Sequence, residues 1–270
     1  MKHITSQDNP FYKELGKLSS SARERSKIGQ TLLDGVHLLA AYVASGKQPL
    51  HLIVTKEAQH DREIQLLLNK LAEVPLTQLD DALFARLSEL KTVSGILSLI
   101  EIPQFDAHPQ QSDFCLLLEN IQDPGNLGSM LRTAAAAGCD EVFMSSGCAD
   151  VWSPKVLRAA MGGHFVLSLH EHADLPEVAR GFSGTIFAAA LSGRTRLYDS
   201  RLNGKIAFAI GNEGAGLSEA LLSTAMPIVI PMPGKVESLN AAAAAAICLF
   251  EAVRQRSMLN ASTGAASIHP

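Results

Sequence analysis

At 270 residues, 47% hydrophobic and 19% charged, the chain has the composition of an ordinary globular protein with room for one large domain or two modest ones. A net charge of −4 excludes a protein that coats nucleic acid indiscriminately, and no apolar run approaches the length of a membrane span. The four cysteines (Cys115, Cys139, Cys148, Cys248) form no CxxC pair and read as buried thiols in a reducing compartment, neither disulfides nor zinc ligands; the N-terminus (Met1-Lys2-His3-Ile4-Thr5) lacks the apolar core of a signal peptide, and a cytoplasmic protein without a metal site is expected.

Residues 1–30 are polar and locally basic, and two blocks read as short helices, 10–19 and 21–30. A charge run of this kind is commonly a solvated face. Its functional reading is salt-sensitive phosphate contact through Lys13, Lys17, Arg23, Arg25 and Lys27. Leu32, Val36, Leu39 and Val43 stand at helical spacing, which predicts an amphipathic helix over 31–44. A strand is expected at 51–55, helices at 63–71 and 80–90, and a closing strand at 95–102. These make a small α/β module over residues 1–102.

Residues 103–113, rich in proline and glutamine and without periodicity, read as a linker. Beyond it, apolar runs at 114–118, 141–144, 164–169, 185–189, 206–210 and 227–230 alternate with helical stretches. Nearly continuous apolar strands are those of a parallel sheet buried on both faces, so 114–256 is expected to be a second α/β domain. The last strand enters a Pro/Gly loop and then a helix nucleated by Ala241 to Ala246, the best helix former in a row. Ser238 or Asn240 suits its cap, and Arg254 and Arg256 suit the negative end of its dipole. The small, polar tail 257–270 reads as disordered.

In a parallel α/β sheet ligands bind beyond the carboxyl ends of the strands, and three such ends carry unusual residues. The first is Glu119-Asn-Ile-Gln-Asp-Pro-Gly-Asn-Leu-Gly-Ser-Met-Leu-Arg132. Here Asn126 is a credible cap, while Arg132 lies among residues that read as buried and so calls for an anionic partner. The second, Gly211-Asn-Glu-Gly-Ala-Gly216, allows close backbone approach but has the spacing G-x-x-G-x-G, not the dinucleotide fingerprint. Its charge, Glu213, is a natural partner for Arg132. The third is Ile230 to Asn240, with Glu237, Ser238 and Asn240.

Taken in order, "DPGNLGSMLRTAAAAG", "FAIGNEGAGLS" and "IPMPGKVESLNAAAAAA" resemble the three motifs of the SpoU/TrmH class of SPOUT RNA methyltransferases, and "KVLRAAMGGHF" resembles the helix between the first two. The first module is similar, more loosely, to a ribosomal-protein-like RNA-binding domain. The resemblance implies S-adenosylmethionine as methyl donor and a ribose 2′-hydroxyl of structured RNA as acceptor, with ribosomal RNA favoured. A transfer-RNA methyltransferase and a non-catalytic RNA-binding or ribosome-assembly protein are the alternatives. It further implies a deep trefoil knot and a homodimer formed through it, with both chains contributing to the site. Catalytic positions carried over are Asn126, Arg132, Glu213, Ser238 and Asn240. The adenosyl group is expected on the backbone around Gly211, Ile230 and Leu239, with Asn212, Gly216, Met232 and Leu191 beside it. One departure is that Ala241 and Ala242 stand where many members carry Val-Ser. Guanidinium stays protonated in protein sites, so Arg132 is expected to stabilise the developing alkoxide or position a phosphate rather than act as base.

Overall fold

The computed structural model describes residues 2–88 and 93–264. The chain packs as two units, one holding residues up to Gln104 together with Asp150–Val166, the other Phe105–Ala149 and the residues from Leu167 onward. Asp150–Val166, which the sequence places within the second domain, packs with the first unit.

In the first unit the order is β1 (Lys2–Ile4), α1 (Pro10–Ser20), α2 (Ala22–Ile28), β2 (Gln30–Asp34), α3 (Val36–Ala44), β3 (His51–Val54), α4 (Arg62–Lys70), β4 (Leu76–Leu79), α5 (Asp81–Leu87) and β5 (Ile96–Glu101). The sheet order is β1-β4-β3-β5-β2, with β5 antiparallel to both neighbours. Helix starts follow side-chain chemistry: the Asn9 carboxamide accepts from the amides of Phe11 and Tyr12, Ser21 from Glu24, and Asp61 from Glu63 and Ile64. Leu15, Leu18 and Phe84 are fully buried between the helices and one sheet face.

The helix expected over 31–44 is a strand and a helix. Gln30 to Asp34 pair with Glu101 to Leu97, and Gly35, at φ +109, turns the chain into α3. Leu32 and Leu33 are both buried, so their spacing could not choose between the two periods. Strands β1 and β4 were not legible either, being three and four residues long with mixed polarity. The helix expected over 80–90 ends at Leu87, and its last two positions lie outside the described residues.

The chain continues with β6 (Phe114–Leu118), α6 (Pro124–Ala137), β7 (Glu141–Met144), α7 (Pro154–Ala160, in the first unit), β8 (Ser168–His170), α8 (Leu175–Gly181), β9 (Thr185–Ala189), β10 (Thr195–Arg196), β11 (Ile206–Ile210), α9 (Glu219–Leu222), β12 (Met226–Val229) and α10 (Ala241–Gly264). The seven strands pair in the order β10-β12-β9-β11-β6-β7-β8, every pair parallel. The strand expected at 164–169 is displaced: Gly163–Phe165 form a 3-10 turn after left-handed Met161 and Gly162, and β8 follows. Inside the first unit the His164 ring is fully buried and its Nε2 bonds the Val151 carbonyl at 2.7 Å.

Helix α10 runs to Gly264, which corrects the expected disorder from 257; residues 265–270 lie outside the described residues. Once nucleated, a helix extends at little cost per residue, so a polar composition did not end it. Arg254 and Arg256 are thus inside the helix rather than at its end. Arg254 pairs with Glu251, and Arg256 lies 4.3 Å over the Phe114 ring while donating to the carbonyls of Asp113 and Gly204. Among the described residues no helix is long and apolar enough to cross a membrane.

Candidate active site

Strands β12, β9, β11 and β6 are neighbours, so the loops leaving their carboxyl ends converge. Three of those loops enclose a cavity of about 420 Å³, within the range of small-molecule sites. Gly211, Asn212, Gly216, Ile230, Met232, Leu239 and Leu191, the seven positions expected to hold a cofactor, all line it. Glu213 and Ser238 line it as well.

The glycine loop closes on itself. A Cβ at Gly211 would stand 2.3 Å from the Gly216 carbonyl carbon, so the backbones touch where no side chain fits. The Asn212 side-chain oxygen accepts from the amides of Gly214 and Ala215, and its Nδ2 donates to the Asn120 carbonyl at 3.0 Å. The Asn212 side chain is therefore committed to loop structure, and what it offers a ligand is backbone.

Three predicted residues form one hydrogen-bonded chain. The Asn240 Oδ1 caps α10, accepting from Ala242 and Ala243, which leaves its Nδ2 to donate to Asn126 Oδ1 at 3.0 Å. Asn126 Nδ2 in turn donates to the Glu213 carboxylate. The start of α10 thus fixes the orientation of both carboxamides and aims a donor at Glu213. The cap of α6 is Asp123, not Asn126.

Arg132 is not part of this chain, and its buried environment is corrected. Leu127, Met130, Leu131 and Ala134 face inward, whereas Gly125, Ser129, Arg132 and Ala136 make an exposed stripe at positions i, i+4, i+7 and i+11. Among the described residues its guanidinium has no ion pair or hydrogen bond, and the carboxylate expected to hold it, Glu213, is held by Asn126. The spacing of small residues around the arginine was the overlooked signal.

Glu119 was missed. It is 8% exposed, and its carboxylate accepts from the Ser218 amide and hydroxyl, both at 2.7 Å. This ties the end of β6 to the end of the glycine loop. A glutamate closing a run of buried leucines was the signal. The departure at Ala241 and Ala242 is accommodated: both are buried, and Ala241 is part of the cavity wall.

Of the expected phosphate contacts, Lys17, Arg23 and Lys27 are exposed, and Lys13 is exposed with Asp8 at 2.8 Å. Arg25 is corrected: it is 4% exposed, bonds the Leu18 and Ser19 carbonyls and pairs with Asp150 inside the first unit. A buried guanidinium spent on its own fold is unavailable to phosphate. Burial pushes the Cys115 and Cys248 thiols up to about 12 and raises those of Cys139 and the partly buried Cys148 as well.

The SpoU rRNA Methylase family matches residues 113–250, and an MRM3-like substrate binding domain matches residues 9–98. An uncharacterised tRNA/rRNA methyltransferase from Synechocystis is 33% identical over 94% of each chain. The 23S rRNA (guanosine(2553)-2′-O)-methyltransferase RlmP of Bacillus subtilis is 31% identical over 93% of this chain and 98% of its own. Among solved structures, the SpoU methyltransferase AviRb from Streptomyces viridochromogenes in complex with AdoMet superposes with a TM-score of 0.83 at 29% identity, covering 92% of this chain and 98% of that one. An AdoMet-bound rRNA methyltransferase from Sinorhizobium meliloti gives 0.82 at 25% identity, over 94% and 97%.

Proposed function

The chain belongs to the SpoU rRNA methylase family, and from that premise we propose that it methylates a ribose 2′-hydroxyl of ribosomal RNA with S-adenosylmethionine as donor. The observation that carries the reading is the cavity walled by the second and third motif loops, to which the first motif is tied by the hydrogen-bonded chain Asn240–Asn126–Glu213.

The residues present fit the cofactor. The tightly closed loop from Gly211 to Gly216 presents backbone to the cavity, and Ile230, Met232 and Leu239 supply an apolar wall for a flat adenine. When bound, S-adenosylmethionine supplies an electrophilic methyl group. Glu119 holds the glycine loop through Ser218, and Asn126 holds the Glu213 carboxylate at the cavity. A guanidinium is a permanent cation in protein sites. On the exposed stripe of α6 Arg132 is placed to meet the charge that a 2′-oxygen develops as its proton leaves, or the adjoining phosphate, with a fork that lysine cannot reproduce.

Two finer features accompany this reading. The loops at Gly211–Ser218 and Ile230–Asn240 belong to a trefoil knot, supported by the close passage of Gly193 against Ile228, where a Cβ would stand 2.5 Å from the carbonyl carbon. A second copy of the chain covers the small-residue stripe of α6 and the half-exposed Phe250 of the helix packed on it, so that Arg132 serves the partner's cavity. The N-terminal domain (1–102), joined by the linker 103–113 to the methyltransferase domain (114–256), contacts RNA through Lys13, Lys17, Arg23 and Lys27. The protein works in the cytoplasm, where its free thiols stay reduced.

Calorimetry with S-adenosylmethionine, followed by methyl transfer to unmodified large-subunit ribosomal RNA and to transfer RNA, tests the reading. Heat of binding and an alkali-resistant 2′-O-methyl mark on ribosomal RNA are expected. Absence of binding leaves a non-catalytic RNA-binding protein, and a mark confined to transfer RNA overturns the substrate.

A further inference from the structure

The segment between β9 and β11 is charged out of proportion to the chain. Residues 190–205 hold Arg194, Arg196, Arg201 and Lys205 against the single acid Asp199, which is +4 − 1 = +3 in a chain of net charge −4. Its start, Ala190 to Ser192, lines the cavity. Strand β10 then places Thr195 and Arg196 level with Ile228 and Val229, two more residues of the cavity wall. Arg194, Arg196 and Tyr198, at alternating positions, are exposed, Tyr198 to 53%. Among the described residues neither arginine has a carboxylate or hydrogen-bond partner for its side chain.

This surface is held rigid from below. Leu197 and Leu202 are fully buried, and the Ser200 hydroxyl donates to the Arg196 carbonyl at 2.9 Å. Gln255 of α10 clamps the turn at two points, donating to the Ser200 carbonyl at 3.0 Å and accepting from the Leu202 amide at 2.9 Å. Charged side chains on an edge strand also discourage edge-to-edge pairing, a task that either sign performs. That task does not call for two unpaired guanidiniums and an exposed phenol ring on an anchored turn at the mouth of a cavity. Arginine forks match phosphate oxygens, and an exposed aromatic ring offers a stacking face to an unpaired base.

We propose that Arg194, Arg196 and Tyr198 form a second RNA contact, on the methyltransferase unit itself, in which the two arginines take backbone phosphates and Tyr198 stacks an unpaired base beside the nucleotide being methylated. This rests on the RNA-methyltransferase reading and adds to it a contact outside the N-terminal unit. RNA, rather than duplex DNA or an acidic protein, is the partner because the contact requires phosphates and a splayed base together.

The test is anisotropy binding of a labelled, unmodified large-subunit ribosomal RNA transcript across a salt series. Each phosphate contact carries a slope of about 0.7 to 0.9 in log K against log salt, which at 0.15 M amounts to about four- to sixfold in affinity. The double variant Arg194→Ala/Arg196→Ala is therefore expected to bind roughly fifteen- to thirtyfold more weakly, with the slope lowered by about 1.4 to 1.8. Arg194→Lys/Arg196→Lys keeps most of the slope, and Tyr198→Ala weakens binding about fivefold or more without changing it. Retained S-adenosylmethionine binding and an unchanged melting temperature show that the variants are folded. Equal affinity and slope for wild type and the double alanine variant overturn the contact while leaving the methyltransferase reading intact. Duplex DNA bound by wild type as tightly as the transcript reduces the surface to general polyanion attraction and also overturns it. A wild type that neither binds nor methylates the transcript overturns both.

Discussion

Helix α2 of the first unit and helix α6 of the second each carry an arginine, and the two sit in environments opposite to those their sequence neighbours suggest. Arg25 stands in a run of lysines and arginines that reads as solvated, yet it is buried against Leu18, Ser19 and Asp150. Arg132 stands among apolar residues and alanines, yet it faces outward. What separates them is the origin of the evidence. The partner of Arg25 comes from a segment 125 residues further on, which no local pattern reveals. The exposure of Arg132 is a matter of helical phase, and its stripe of Gly125, Ser129 and Ala136 was present in the string all along.

If Arg25 belongs to the fold and Arg132 to the chemistry, their substitutions must separate stability from turnover. Arg25→Ala removes one partner of a buried pair and is expected to cost about 3–5 kcal/mol in denaturant unfolding, while the folded fraction keeps its methyl-transfer rate. Arg132→Ala should do the reverse. Its unfolding free energy stays within about 0.5 kcal/mol of wild type, while kcat falls by about 10²- to 10³-fold, and Arg132→Lys recovers little of it. Near-normal turnover in the lysine variant would remove the forked-contact role.

Two further residues extend the division. Glu119→Gln weakens charge-assisted bonds to Ser218, each worth about 1.5–3 kcal/mol, and should lower S-adenosylmethionine affinity measured by calorimetry, with Glu119→Asp recovering part of it. Unchanged affinity would return Glu119 to the structural side. His164, in the first unit, is the structural extreme: full burial holds its imidazolium down, from 6.5 to about 4. Its native pKa lies below the unfolded value, so between about pH 6.5 and pH 4 the unfolded chain binds the proton and the fold does not. Stability from this group is complete above that window and lost as pH falls through it, at no more than about 1.4 kcal/mol per pH unit. His164→Gln should flatten that part of the urea-unfolding profile while leaving transfer at neutral pH near wild type.

Legibility followed the same line as the two arginines. The strands β6, β7, β9 and β11 were readable to the residue because each is a short apolar run between turn signals and is buried on both faces. The seven positions expected to hold a cofactor line one cavity because they lie on loops that leave the ends of adjacent strands. Strand β2 was hidden inside a helical pattern, since Leu32 and Leu33 are both inward and its partner β5 lies about seventy residues away. Glu119 was passed over because the chemistry of a carboxylate at a strand end depends on whether a donor arrives from elsewhere, and Ser218 arrives from 99 residues on.

By itself, then, the string of residues determined the family, the two α/β parts, the three loops and nine of the groups that line the cavity, because periodicity and motif chemistry are local properties. Tertiary structure alone decided that Arg25 is buried against Asp150, that Asn126 rather than Arg132 holds Glu213, and that Asp150–Val166 joins the first unit. Those are pairings between groups far apart in the chain. Their energies depend on burial and geometry that exist only once both partners have been brought together.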